Sequence, residues 1–259
     1  MARVEQSRPG RRAVRQAAAG AALCLLIGTA ACGAAKPAGG SPTAGSSAAG
    51  GSTPAVKEPV VQGLVNAAYA ATPPPLAGPA SAWKTSETTA DQSSDVLRDA
   101  ADWKGATQAS LDVYAMWDKT NLYIGTTVLQ DHPYTNNYTA GNVWQGDAIW
   151  LYFTAALGAS TNAAKLTLVQ ASDGPEVYDW LNNAQLTNVQ MKLVTSGNQY
   201  WAAGAIPWSV LGVTPSAGMI LGTNIGEGFG SSGFIDLNGK DPDNDTADDA
   251  PLTLQAPPA

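Results

Sequence analysis

Apolar and polar positions follow three different patterns along this chain. Between Ala17 and Ala31 the apolar residues are contiguous, centred on Leu23, Leu25, Leu26 and Ile27. From residue 33 to about residue 55 they are almost all alanine, scattered among Gly, Ser, Pro and Thr. Beyond Leu111 they alternate with polar residues, the period of a half-buried β-strand. Leu111-Asp112-Val113-Tyr114-Ala115-Met116-Trp117 and Leu122-Tyr123-Ile124-Gly125-Thr126-Thr127-Val128 alternate in this way. Ala148 to Phe153 is apolar at every position, as expected of a central strand covered on both faces. Lys165–Val169, Met191–Val194, Tyr200–Ala203 and Met219–Ile225 read as further strands. Clusters of Asn, Gly, Asp and Pro separate them. One helical turn is predicted, Trp208 to Leu211, after Pro207. Six to nine short strands without strand–helix alternation predict an all-β, antiparallel sandwich.

The other two regimes predict appendages. Arg3, Arg8, Arg11, Arg12 and Arg15 precede the contiguous apolar stretch, which is too short and too rich in Ala and Gly for a stable membrane span. It ends Gly28-Thr29-Ala30-Ala31-Cys32, small residues directly before a cysteine. This resembles a bacterial lipobox, with Thr29 where Leu is usual. The resemblance implies removal of residues 1–31 and lipidation of Cys32. Residues 32–75 read as a tether that cannot bury enough apolar surface to fold, ending in the stiff Thr72-Pro73-Pro74-Pro75. Val56 to Ala71 within it is apolar enough for a short helix or strand. The folded domain is expected over 76–259. An exported protein, lipid-anchored to the outer face of the cell membrane or envelope, follows from this organisation.

Composition removes several functions. The net charge is −7, and the leader carries five arginines and one glutamate, so the remainder is more acidic still. Such a chain is a poor nucleic-acid binder. There are two cysteines, Cys24 and Cys32, and one histidine, His132. An internal disulfide, a thiol nucleophile and a two-histidine zinc site are excluded once the leader is gone. Glu87, Glu176 and Glu227 are the domain's only glutamates, and their spacing singles out no acid/base pair. The chain is read as no enzyme.

Three segments, taken in order, resemble one family. They are Val113–Ile124 with its Trp117-Asp118 and Asn121-Leu122-Tyr123, then Trp144-Gln145-Gly146-Asp147-Ala148-Ile149-Trp150-Leu151-Tyr152, then Tyr200–Gly212 followed by Gly222-Thr223-Asn224-Ile225. Together they resemble the carbohydrate-binding family 9 domain and its DOMON-like relatives, over roughly residues 80 to 235. The resemblance implies a jelly-roll-type sandwich that captures a glycan without catalysis, between aromatic platforms. A pyranose has apolar C–H faces that lie flat on an aromatic ring, and rim hydroxyls that need partners. Trp144 stands where the family places one platform, beside Gln145. Asp147 either accepts from a sugar hydroxyl or ties down the turn. The second platform tryptophan has no counterpart; Phe234 is the substitute considered. Trp150 stands where an acidic residue is usual.

Two further groups carry alternatives. Asp241, Asp243 and Asp245 can offer calcium three of its six to eight oxygens from one loop, although the segment is no complete EF-hand loop and solvated acidic surface is the favoured reading. DOMON-like relatives also include haem b domains, in which His132 would pair with Met116, Met191 or Met219. A loop histidine beside Pro133 is more often a surface residue, so haem is the weaker reading. A scaffold that has lost its ligand and works through protein contacts is the third.

Overall fold

The computed structural model describes residues 65–98, 100–229, 233–238 and 249–258. Among them are fourteen strands in two packed layers. The first sheet runs β10 (Gln190–Ser196), β11 (Gln199–Pro207), β5 (Asn121–Gln130), β4 (Ala109–Trp117), with the short β2 (Glu87–Ala90) also on β4. The second runs β14 (Ala250–Leu254), β12 (Ile220–Phe229), β6 (Ala148–Thr154), β7 (Ala164–Ala171), β8 (Gly174–Asp179), β9 (Ala184–Gln185). β13 (Gly233–Asp236) adds to β12 and carries β3 (Val96–Arg98). The predicted turn of helix, α1, is Trp208–Leu211. It ends at Gly212 in the left-handed region (φ 65), where only glycine is unstrained.

The expected start of the domain needs correction. The domain begins by Val65, ahead of the expected boundary at residue 76. β1 (Val65–Tyr69) is a strand of the sandwich itself, with Val65 and Ala67 buried. It pairs with β14 at one end and with β4 at the other, joining the two sheets. Both pairings are parallel, in a sandwich whose other pairings are antiparallel. It falls within Val56–Ala71, where a short helix or strand is expected, but Val65-Asn66-Ala67-Ala68-Tyr69 is itself short and small. Only its partners tell it from a tether.

The alternation of the strands becomes the two faces of each sheet. Leu111, Val113 and Ala115 of β4 point inward with Leu122, Ile124 and Val128 of β5. They meet Ile149, Leu151 and Phe153 of β6, Leu166 and Leu168 of β7, and Leu221 and Ile225 of β12. Gly204 brings β11 close to the opposite sheet, since a Cβ there would lie 2.8 Å from a Leu168 methyl. The outer face of the first sheet has its own cover. Trp83, Met116, Tyr123 and Trp201 cluster there beneath the segment from Ala70 to Ala80. The indole N–H groups of Trp83 and Trp201 donate to the carbonyls of Pro75 (3.1 Å) and Leu76 (2.7 Å). The polyproline stretch expected to be a spacer is therefore a strap bonded to the sheet.

Candidate functional site

The outer face of the second sheet is built differently. Its cover at one end is a single short segment, the connection from Asp131 to Asp147 between β5 and β6. Val143 of that segment packs on Val169, Ala171 and Tyr178. The adjoining 3-10 turn, Ala140–Gln145, presents Trp144 to solvent. Trp144 is 53% exposed, the most open large hydrophobic side chain among the described residues.

Buried polar groups hold this segment in shape. Asp147 Oδ2 accepts from the Thr135 backbone N–H (2.6 Å) and the Gln130 side-chain amide (3.1 Å). Its Oδ1 lies 3.3 Å from His132 Nε2, while His132 Nδ1 lies 2.9 Å from Asp131. Asn136, also buried, donates to the carbonyls of Val143 (2.8 Å) and Asp147 (3.1 Å). At the other end of the turn, Glu176 accepts from the N–H of Ala140, which sits in the left-handed region at φ 50. Gly146 is the tightest point. A Cβ there would lie 2.8 Å from Asn136 Cγ and from the Thr135 carbonyl oxygen. Gly146→Ala is therefore expected to push the turn off Asn136, costing about 1–3 kcal/mol of stability. A denaturant midpoint equal to that of the wild type would contradict this.

Partial burial acts to lower the pKa of His132, but its bond to Asp131 and the charge of Asp147 outweigh it, and the net shift is upward. Two carboxylates around one imidazole favour the cation, which can donate from both nitrogens.

Beyond the turn lies an aromatic strip. Trp150 of β6, Thr167 of β7 and Tyr178 of β8 form one cross-strand row; Tyr152 and Lys165 form the next, with Trp180 beside Lys165. Trp150 stacks on Trp180 (centroids 5.3 Å, 17° between planes) and on Tyr152 (6.2 Å, 13°). The Lys165 ammonium lies 5.8 Å from the Trp150 centroid and 5.4 Å from that of Tyr152, a cation–π arrangement. Trp180 is pinned by its N–H, 2.6 Å from Thr167 Oγ1. Trp150 and Trp180 are half-buried. Neither was singled out from the sequence for this role. Ala148–Phe153 reads as apolar on both faces, and nothing in that run says that Trp150 is left half-buried.

The expected site residues separate. Trp144 and Gln145 lie together on the turn, with Gln145 donating to Asn142 (3.3 Å). Asp147 is 1% exposed and tied into the segment, so its carboxylate holds the turn rather than facing a ligand. Phe234 is 6% exposed, edge-on to Trp150 and capped by Arg98 at 5.7 Å; it offers no open face and is no second platform. Cys32 and Asp241, Asp243 and Asp245 lie outside the described residues. The His132 nitrogens both engage carboxylates, and of the methionines considered with it, Met116 and Met191 are buried and Met219 packs against the core. The haem reading thus lacks an open ligand pair.

A second set of buried polar groups lies inside the sandwich. Glu227 of β12 is completely buried and accepts from the Tyr200 hydroxyl (2.9 Å); its Oε2 has no partner. Burial drives its pKa well above the ordinary carboxylate value; the Tyr200 bond opposes this and the nearby charge of Asp147 adds to it. Tyr200 shifts up for the same primary reason. A raised carboxyl pKa contributes stability that is complete below its unfolded value and is lost as pH rises through the folded value. Glu227→Gln, which keeps the shape and stays neutral, is expected to be increasingly more stable than the wild type as pH rises from 5 to 9. Melting curves that stay in step across that range would refute a protonated Glu227.

This architecture and turn coincide with a sequence match. Residues 78–227, more than half of the chain, match the family described as carbohydrate family 9 binding domain-like. The chain belongs to that family. No curated protein matches it. Among solved structures, a family 9 carbohydrate-binding module from Caldicellulosiruptor kristjanssonii, in complex with cellotriose, aligns with a TM-score of 0.51 at 14% identity, covering 75% of this chain and 95% of that one. A candidate carbohydrate-binding protein from Bacteroides uniformis aligns with a TM-score of 0.52 at 12% identity, covering 74% and 99%. At these identities the structural likeness shows the fold. Family 9 domains are noncatalytic carbohydrate-binding modules, and this chain is one by membership rather than an enzyme.

Proposed function

We propose that this family 9 domain captures a neutral glycan on the outer face of β6, β7 and β8, with Trp144 as the platform. The observation that carries this is the exposure of Trp144 on a turn held by the buried Asn136, Asp147 and Glu176. An indole held open to water at this cost in order has use as a sugar-stacking surface, because its orientation is set before the ligand arrives. The solved relative bound to cellotriose supports a β-linked glucan as the first ligand to try.

The setting we propose is the cell envelope. Its support is the basic leader and the Ala30-Ala31-Cys32 sequence, which would place a lipid at the start of the chain and leave residues 33–64 to hold the domain away from the membrane. Calcium is proposed as an accessory ion for Asp241, Asp243 and Asp245; Asp236 and Asp249, which flank that segment, are both buried.

The test is a calorimetric titration of the purified protein with glucose, cellotriose and a panel of neutral oligosaccharides, with and without calcium. A saturable isotherm for one of them is expected. Silence across the panel from a folded protein would favour the ligand-free scaffold. An isotherm indifferent to calcium and its chelator would remove the ion.

A further inference from the structure

Among the described residues, three of the four outer positions of β12 between 222 and 228 are glycine: Gly222, Gly226 and Gly228, with Asn224 between them. Two of these are bare because neighbours fill the space. A Cβ on Gly222 would run into the Thr154 hydroxyl, and one on Gly226 would come 2.7 Å from Asp236 Cβ and Phe234 Cζ. Gly228 is different. It is half-exposed, and the nearest atom to a Cβ there would be Trp150 Nε1, at 3.3 Å. The missing side chain thus leaves a gap whose wall is the N–H edge of Trp150.

That N–H has no hydrogen-bond partner among the described residues. Apart from the exposed Trp144, the other indole donors of the sandwich do: Trp83, Trp103, Trp117, Trp180, Trp201 and Trp208 all donate to protein oxygens. The ring of Trp150 cannot turn to seek one. Trp180 and Tyr152 stack on it and Phe234 meets it edge-on. Its faces are engaged by protein, so what it offers a ligand is the edge.

We propose that the Trp150 indole N–H is a specificity-determining donor of the glycan site, giving its hydrogen bond to a sugar oxygen lodged over Gly228. This rests on the binding face proposed above and assigns its second contact. Trp144 supplies a stacking surface that any pyranose can use. A fixed donor discriminates, because a sugar with no acceptor at that point leaves the N–H dry and unpaired.

The test uses the glycan that saturates the wild-type protein. Trp150→Phe keeps an aromatic ring in the stack and removes the N–H. Its Kd is expected to rise about tenfold, as for one lost hydrogen bond. Gly228→Ala keeps the N–H and fills the gap, and is expected to weaken binding several-fold. In the wild type, the 15N–1H indole resonance absent from Trp150→Phe should shift on saturation, while that of Trp180, already bonded to Thr167, should move least. Unchanged affinity in both variants, or a Trp150 resonance that stays put at saturation, would overturn the assignment and leave Trp144 standing. A wild type that binds no sugar would overturn the binding face itself, and this contact with it. Circular dichroism separates a lost contact in Trp150→Phe from a lost fold; if that variant unfolds, Gly228→Ala and the resonance decide.

Discussion

Trp144→Ala is expected to abolish measurable glycan binding and leave the melting temperature unchanged. Buried aromatic anchors in binding sites are worth about 2 kcal/mol or more on truncation, roughly thirtyfold in affinity. Capture of a free sugar, which has few other contacts, should lose most of its affinity with the platform. The fold should not notice. Trp144 is 53% exposed and belongs to none of the hydrophobic clusters, whereas its neighbour Val143 is fully buried and anchors the turn. Calorimetry and thermal melting on the same sample check both halves. Equal affinity in the mutant would move the platform elsewhere, and a large drop in melting temperature would mean that the indole is packing rather than presenting.

The opposite pairing of effects is expected for Trp201→Ala. Trp201 is 8% exposed, on the outer face of the first sheet. It meets Trp83 edge-on at 5.4 Å and Tyr114 at 5.8 Å, and its N–H bonds Leu76 in the strap. Gly125 is shaped to it, since a Cβ there would lie 2.5 Å from the indole. Removing a buried tryptophan costs about 3–5 kcal/mol. That is a large share of the total for a domain of this size, about 5–15 kcal/mol. The melting temperature should fall by about 10 °C. Limited proteolysis should then cut within residues 70–85, because the strap loses its anchor. Below the new melting temperature, glycan binding should persist, since Trp150 belongs to the other sheet and Trp144 to the turn that covers it. A strap that resists protease in the mutant would show that Trp83 alone holds it.

Trp144 and Trp201 show how far a sequence can be read. Trp201 sits in the predicted strand Tyr200–Ala203, which does not say whether its face of the sheet is covered. The cover comes from Ala70–Ala80, a stretch whose prolines and alanines resemble a linker. Its apolar area is too small to predict burial, and the decisive bonds run from indole N–H groups to backbone carbonyls 125 and 8 residues away in the chain. Trp144 could be singled out because the local run Trp144-Gln145-Gly146-Asp147 resembles the one that carries a platform in family 9.

The pattern of apolar residues by itself determined the all-β class, the inner faces of β4 and β5 through their alternation, and the one turn of helix after Pro207. Period two is a property of the single strand, so it survives without knowledge of partners. The motif around Trp144 and Asp147 likewise determined where to look for a site. Tertiary structure alone decided the rest. It made Val65–Tyr69 the strand that joins two sheets, buried Phe234, turned Asp147 inward as the anchor of its loop, and left the Trp150 donor above a glycine with no partner among the described residues. Each of these depends on what lies opposite a residue across a sheet or loop. Alternation tells which residues share a face; it does not tell what that face will meet.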